Sequence, residues 1–190
     1  MSGTVPGPDG RQRCPWAVGT PDMLVYHDEE WGHPILSDQA VFERMSLEAM
    51  QSGLSWLIVL RKRDSMRRAF AGFDIDALAS FGPADVDRLL ADPGVIRNRR
   101  KIEAVITNAS IAASLPNGLA AVVAEHAPKP RPRPEQMTDI ASTSEESAAL
   151  AKTLRKAGMS FVGPTTLHAL FQAGGWVDDH LRACETAPPR

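Results

Sequence analysis

The chain has 190 residues, 43% of them hydrophobic, and a formal net charge of −2 at pH 7. This length predicts one domain, or one domain with a small second lobe, and the hydrophobic fraction excludes a mainly disordered protein. No apolar run approaches the roughly 18–20 residues that a membrane span requires, and residues 1–13 lack the apolar core of a signal peptide. We therefore expect a cytoplasmic protein without membrane contact, whose two cysteines are reduced.

The predicted elements are helices separated by short breaks. Ser37 is a good N-cap for a helix that ends near Gln51, where Gly53 favours a stop. A second helix is predicted to begin near Trp56, and further helices are predicted from Pro83 to Ala91 and from Lys101 to Leu115. A capping box at Ser142 or Thr143 predicts a helix that ends at Gly158. Another helix is predicted from Pro164 to Ala173, and a last short one is predicted to hold His180 and Cys184. No alternating run of β-branched residues is present, so we predict an all-α fold.

The domain organisation is predicted from composition. Residues 1–13 are rich in Gly and Pro and are expected to be a flexible tail, as are residues 185–190. The segment 129–134 alternates Lys or Arg with Pro and cannot be helical. We interpret it as a surface linker between two helical lobes of a single domain that spans residues 14–184.

Basic residues are clustered although the net charge is small. Three windows, 61–68, 97–101 and 129–133, hold more than half of the 21 Lys and Arg residues. Such clusters suit a surface that meets phosphate, although solvated helix faces explain the same pattern. Glycine turns before helices can also offer backbone N–H groups to a DNA phosphate. From these features we predict DNA contacts at Gly94, Arg97, Arg99, Lys101, Gly163 and Thr165.

Both cysteines and two histidines form a candidate metal set. Cys14 and His27 lie near the N-terminus, whereas His180 and Cys184 lie near the C-terminus. Two thiolates and two imidazoles suit tetrahedral zinc, and four protein ligands leave no open position for water, so such an ion would be structural. The spacing from Cys14 to His27 is not a standard zinc spacing. The residues alone therefore leave open two unrelated buried thiols with ordinary structural histidines.

Aromatic residues concentrate near the N-terminus. Trp16, Tyr26, Trp31 and Trp56 all fall in the first 56 residues. They form either ordinary core or an aromatic box that stacks on a flat, electron-poor ring.

Glu48 is a carboxylate on an apolar helix stripe. Val41, Met45 and Glu48 are spaced i, i+4 and i+7, so the Glu48 side chain is expected to point inward. A buried carboxylate is costly unless it is hydrogen-bonded or paired. Glu48 therefore makes either a structural hydrogen bond to a nearby loop or a polar contact at the floor of an aromatic pocket.

Together these residues resemble the 3-methyladenine DNA glycosylase I family. The N-terminal resemblance is carried by Cys14-Pro-Trp16, Tyr26-His27-Asp-Glu-Glu30-Trp31-Gly32, Leu47-Glu48 and Gln51-Ser-Gly-Leu-Ser-Trp56. The later resemblance is carried by Gly94-Val-Ile-Arg97-Asn-Arg-Arg-Lys101-Ile, Phe161-Val-Gly163-Pro-Thr-Thr and Val177-Asp-Asp-His180-Leu-Arg-Ala-Cys184. Several long motifs in the right order are far more specific than any one of them.

The resemblance implies a helix-hairpin-helix DNA glycosylase fold whose ends are joined by a zinc site. One structural Zn²⁺ per chain would be held by Cys14, His27, His180 and Cys184. Trp16, Tyr26, Trp31 and Trp56 would line the base pocket, and Glu48 would be the catalytic residue that hydrogen-bonds the base edge.

The implied activity is excision of 3-methyladenine from alkylated duplex DNA in base excision repair, by a monomer. The damaged nucleotide leaves the duplex before its base is cut off. No lysine matches a nucleophile, so we expect no strand cleavage.

Two residues depart from the family pattern. Met23 falls where the family often has an aromatic residue near the pocket rim. Asp178 stands where the family usually has Asn, and other helix-hairpin-helix glycosylases carry a catalytic Asp in a comparable context. Asp178 therefore either assists the attacking water or caps a helix.

Two rival functions remain open at the level of sequence. A zinc-stapled module would bind damaged DNA without releasing a base. An enzyme acting on free modified nucleosides would need no basic clusters.

Overall fold

The structure is a computed structural model that describes residues 3–186. Within that range the chain forms nine α-helices, three short 3-10 helices and one two-stranded sheet. The α-helices are α1 (Pro21–Glu29), α2 (Asp38–Gln51), α3 (Trp56–Ala69), α4 (Ile75–Ala79), α5 (Pro83–Ala91), α6 (Arg99–Ala113), α7 (Gly118–Glu125), α8 (Glu145–Lys156) and α9 (Pro164–Ala173).

The fold is mostly helical, as predicted, and a short β-hairpin is added to the helices. β1 (Val5–Pro6) pairs antiparallel with β2 (Gln12–Arg13). The Arg13 guanidinium holds this hairpin against α1, because it donates to Asp28 at 2.7 Å. The hairpin occupies part of the segment that composition predicts to be a tail. The division into two tails and a two-lobed domain stays a prediction, and residues 187–190 lie outside the described residues.

Local capping signals place most helix ends correctly. The Ser37 hydroxyl accepts a hydrogen bond from the Ala40 N–H at 3.2 Å, which starts α2 as predicted. The start of α8 differs by one or two residues from the prediction, because Ser144 rather than Ser142 or Thr143 caps it, in a reciprocal pair with Ser147. Any hydroxyl in this Ser/Thr run can cap a helix, so packing selects the one that is used.

The prediction of a last short helix that holds His180 and Cys184 is wrong. The chain from residue 174 to residue 186 forms turns and irregular structure. Gly175 has a φ of 76°, and a Cβ there would lie 2.6 Å from the carbonyl oxygen of Gly32. The left-handed backbone and this close approach end the helical path after α9.

Helix α2 is the central element of the core. Every residue from Arg44 to Met50 is buried, and α2 packs against α3, α6, α7 and α9. The inner face of α2 carries Glu48, so a carboxylate is placed inside the core by the same stripe that buries Val41 and Met45.

Among residues 3–186, no single helix is long and apolar enough to cross a membrane. The pair Arg99–Ala113 and Gly118–Glu125, bent by 91°, meets length and composition criteria only when both helices are taken together.

Candidate functional site

The N-terminal aromatic residues converge on one pocket. This pocket has a volume of about 310 Å³, which is large enough to hold a flat heterocyclic ring. The rings of Trp16 and Trp31 meet edge to face at 5.0 Å, and those of Tyr26 and Trp56 are tilted at 5.2 Å. The lining residues are Trp16, Met23, Tyr26, Trp31, Glu48, Gln51, Trp56, Met137, Ile140, Ala169 and Gln172. All the residues of the predicted base pocket are therefore brought together.

Glu48 is the acidic group of the pocket lining. Its side chain is 6% exposed, and no hydrogen-bond partner for its carboxylate is found in the described part of the chain. Burial raises the pKa of Glu48 to about 7, an effect that the positive charge of Arg44 partly offsets. The structural hydrogen bond that the sequence left open is absent among residues 3–186, so the carboxylate is available to a ligand.

Arg44 is a buried cation behind the aromatic wall that sequence analysis did not single out. Its Nη1 donates to the Tyr26 hydroxyl at 3.0 Å, and its guanidinium lies 5.3 Å from the Tyr26 ring centre. Glu30 balances its charge at 3.6 Å and also pairs with Arg63. Arg44 thus holds the Tyr26 ring in place from outside the pocket.

Three of the four candidate metal ligands meet behind this pocket. Ligand atoms of Cys14, His27 and Cys184 lie within 4.8 Å of one another, and all three residues are buried. The Cys14 thiol, and after it His27, lower the pKa of Cys184, so a thiolate is favoured at this position. Two sulfurs and an imidazole nitrogen form a donor set that zinc prefers.

His180 adjoins this group. Its ring centre lies 4.9 Å from that of His27, and its Nε2 is buried without a hydrogen-bond partner in the described chain. A carboxylate faces Nδ1 of each histidine, Asp28 at 2.8 Å from His27 and Asp178 at 3.1 Å from His180. This arrangement leaves Nε2 of both rings for a metal, as is usual for zinc-bound histidines.

The candidate metal group supports the pocket wall. The Trp16 ring lies 5.0 Å from the His27 ring, and the Trp31 ring lies 4.4 Å from the His180 ring. Because these tryptophans line the pocket on their other side, a link between the two chain ends positions two of its walls.

The family model described as Methyladenine glycosylase matches residues 16–187. The chain belongs to the methyladenine glycosylase family. Its match to the DNA-3-methyladenine glycosylase of Haemophilus influenzae has 38% identity over 178 residues, covering 90% of this chain and 96% of that protein.

Solved structures agree with this family membership. A crystal structure of 3-methyladenine DNA glycosylase I has a TM-score of 0.89 and 38% identity, covering 93% of this chain and 100% of that one. A variant of 3-methyladenine DNA glycosylase I in complex with 3-methyladenine has a TM-score of 0.86 and 30% identity, covering 92% of this chain and 98% of that one. The helical fold of this family member is therefore that of a methyladenine glycosylase.

Lys101 was predicted to contact DNA in this glycosylase-family chain, and its position in the structure contradicts that prediction. Its side chain is buried, and its ammonium donates to the carbonyl oxygens of Met50 at 2.8 Å and Ser52 at 2.6 Å. These carbonyls lie at the C-terminal end of α2, where unpaired C=O groups and the helix dipole favour a cation. Lys101 therefore stabilises the end of the helix that carries Glu48, and it does not face a phosphate.

The two glycine turns differ in their surroundings. The Gly94 N–H donates to the Asp92 carboxylate at 2.7 Å, and a Cβ at Gly94 would lie 2.8 Å from the Cβ of Ser65. Gly94 thus allows the turn to pack closely on α3, and its N–H is already used. Gly163 is the N-cap of α9, and Thr165 lines a second cavity of about 280 Å³ that also contains Glu48. The Gly163 turn therefore adjoins the base pocket.

The second and third basic windows, 97–101 and 129–133, contain both exposed and paired cations. Arg97 is exposed and has no ion-pair partner among residues 3–186, whereas Arg99 pairs with Asp87 at 2.7 Å. In the third window, Arg131 pairs with Asp179 at 2.9 Å and Arg133 with Asp178 at 2.6 Å. That window ties the Pro-rich segment to the C-terminal loop.

The two departures from the family pattern lie at different places. Met23 lines the pocket, so a thioether forms part of its wall. Asp178 is not among the pocket-lining residues, because its carboxylate accepts from His180 and Arg133. Its position suits the orientation of His180 and not the activation of a water in the pocket.

Proposed function

We propose that this protein is a DNA glycosylase that removes 3-methyladenine from alkylated duplex DNA and leaves the strand intact. The observation that carries the proposal is the buried carboxylate of Glu48 in an aromatic pocket, which has no hydrogen-bond partner among residues 3–186. Electron-rich rings attract a cation over their faces, and a carboxylate adds a charge-assisted hydrogen bond. An unmodified neutral base gains much less from either interaction. The related structure that holds 3-methyladenine supports the same ligand class here.

The mechanism uses the cationic character of the substrate. Methylation at N3 gives adenine a positive charge, which weakens its glycosidic bond. Flipping the nucleotide costs a few kcal/mol, stacking of the cation contributes about 0.5–2 kcal/mol, and the Glu48 contact contributes about 1.5–3 kcal/mol.

Water completes the reaction at the sugar. Its oxygen forms a bond to C1′ as the C1′–N9 bond breaks, and the electron pair of that bond neutralises the departing base. The water gives up a proton to solvent. The described residues that line the pocket include no lysine that could form a covalent adduct, which supports base release without strand cleavage.

We also propose that one structural Zn²⁺ is held by Cys14, His27 and Cys184, with His180 as the fourth ligand. The proximity of the first three side chains and the unpartnered Nε2 of His180 support this set. Such an ion cross-links the chain ends and takes no part in the chemistry.

For the DNA surface we propose the Gly163 turn and Thr165, with Arg97 and Arg99 as phosphate contacts. The first turn of α9 offers backbone N–H groups beside the cavity that contains Glu48. A flipped nucleotide bound by this turn would have its base near the aromatic pocket.

The test is base release from methylated duplex DNA, separated by chromatography, with Glu48→Gln beside the wild type. We expect the wild type to release 3-methyladenine and the variant to be impaired. Glu29→Gln, an exposed carboxylate on α1, is the matched control. Binding of alkylated DNA without any released base would instead establish a damage-recognition module.

A further inference from the structure

Gln172 lines the pocket, and its side chain is held by a hydrogen bond to a residue that is not part of the pocket lining. It lies on α9, and its Nε2 donates to Oδ2 of Asp179 at 2.9 Å. No donor to its Oε1 is found within the described residues. One end of the amide is therefore anchored, and the other end is available in the pocket.

Asp179 determines which end of the amide is anchored. It is 2% exposed, and both of its carboxylate oxygens accept from Arg131, at 2.9 and 3.1 Å. An ionised carboxylate paired with arginine only accepts hydrogen bonds. The Gln172 amide must therefore turn its NH₂ group toward Asp179, and its oxygen is left for the pocket.

A polar group that distinguishes adenine from guanine is needed in such a pocket. Alkylated guanine, such as 7-methylguanine, is also a cation, so the aromatic rings and Glu48 attract both bases. The two bases differ at the purine 6-position, where adenine has an amine donor and guanine has a carbonyl acceptor.

Resting on the proposed function, we propose that Gln172 reads the base. Its amide oxygen accepts a hydrogen bond from the exocyclic amine of the flipped adenine, and Asp179 acts as the positioning residue that holds the amide in this orientation. The amine has two hydrogens, so Glu48 and Gln172 can each accept one. A guanine carbonyl would face the Gln172 oxygen as a second acceptor, which leaves two buried polar atoms unpaired.

The experiment changes the residue and the base together. Free 3-methyladenine and 3-methylhypoxanthine, which has a carbonyl in place of the amine, are titrated into wild type and Gln172→Leu by tryptophan fluorescence. We expect the wild type to prefer the amine-bearing base by about tenfold, and Gln172→Leu to reduce that preference to about twofold or less. Gln39→Leu removes an exposed glutamine at the start of α2, outside the base pocket, and is expected to keep the wild-type preference.

A second variant tests the positioning role. In Asp179→Asn the side chain can donate as well as accept, so the Gln172 amide is free to turn. We expect this variant to lose the preference as Gln172→Leu does, and the double variant to lose no more. Thermal melting establishes that each variant is folded, and should Asp179→Asn not fold, Gln172→Leu alone decides the base-reading role.

The outcomes separate the two proposals. An unchanged preference in folded Gln172→Leu overturns the base-reading role even when the wild type releases 3-methyladenine from DNA. A folded Asp179→Asn variant with full preference overturns the positioning role. A wild type that releases no 3-methyladenine from methylated DNA overturns the proposed function, whatever the binding preference.

Discussion

Replacing Glu48 with Gln is expected to stabilise the folded protein at neutral and alkaline pH while it impairs base excision. Burial raises the pKa of Glu48 from 4.5 to about 7. Between these values the folded state keeps a proton that the unfolded state has released, so stability falls as pH rises. The difference of about 2.5 between the two pKa values corresponds to about 3 kcal/mol above pH 7, and to nothing below pH 4.5. Gln removes this cost because it carries no charge.

Urea denaturation of wild type and Glu48→Gln across pH 4.5 to 8 measures this effect. The variant should unfold with about the same free energy at pH 4.5 and with about 3 kcal/mol more at pH 8. Glu29→Gln, on the exposed surface of α1, should change stability by less than about 0.5 kcal/mol at every pH. A difference that does not grow with pH, or a variant less stable at pH 8, would refute the argument that the ionised carboxylate is held at a cost in the fold.

Three further predictions follow from the surroundings of single side chains. Lys101→Met should lower the free energy of unfolding by about 1–3 kcal/mol in urea titrations, because the carbonyls at the end of α2 lose their donor, and should leave the salt dependence of DNA binding unchanged. Arg97→Ala should weaken DNA binding across sequences and reduce the slope of log K against log salt by about 1, measured by fluorescence anisotropy. Cys184→Ser should lower the zinc content in elemental analysis and reduce the melting temperature. It should also change the near-UV circular dichroism of Trp31, because the Trp31 ring contacts the candidate ligand His180.

Helix boundaries were largely predictable because their signals are local. The Ser37 cap and the prolines that open α5 and α9 act within one turn of the chain. Three α-helices were not predicted. α4 has only five residues and α7 is apolar on nearly every face, so their local signals are weak. α1 has a Thr20 cap and Pro21 at its start, which are signals that the sequence did offer.

The candidate site likewise has features that the sequence predicted and features that it did not. The aromatic residues, the cysteines and Glu48 were recognisable because their residue types are rare and their motifs are long. The partners of Lys101 and Arg44 were not, because each pairs with a group that lies far along the chain. The partner of Gln172 was not either, because the irregular chain after α9 brings Asp179 back to it.

The sequence by itself determined the family, because several long motifs in the right order carry the resemblance. It also determined the inward placement of Glu48 and most of the helices, because periodicity and capping act over a few residues. Only the tertiary structure decided that residues 174–186 form no helix, that the Lys101 ammonium caps α2 about fifty residues away in sequence, and that the Gln172 amide donates to Asp179. Those outcomes depend on burial, where each carbonyl, carboxylate and ammonium removed from water must find a partner that the folded chain brings to it.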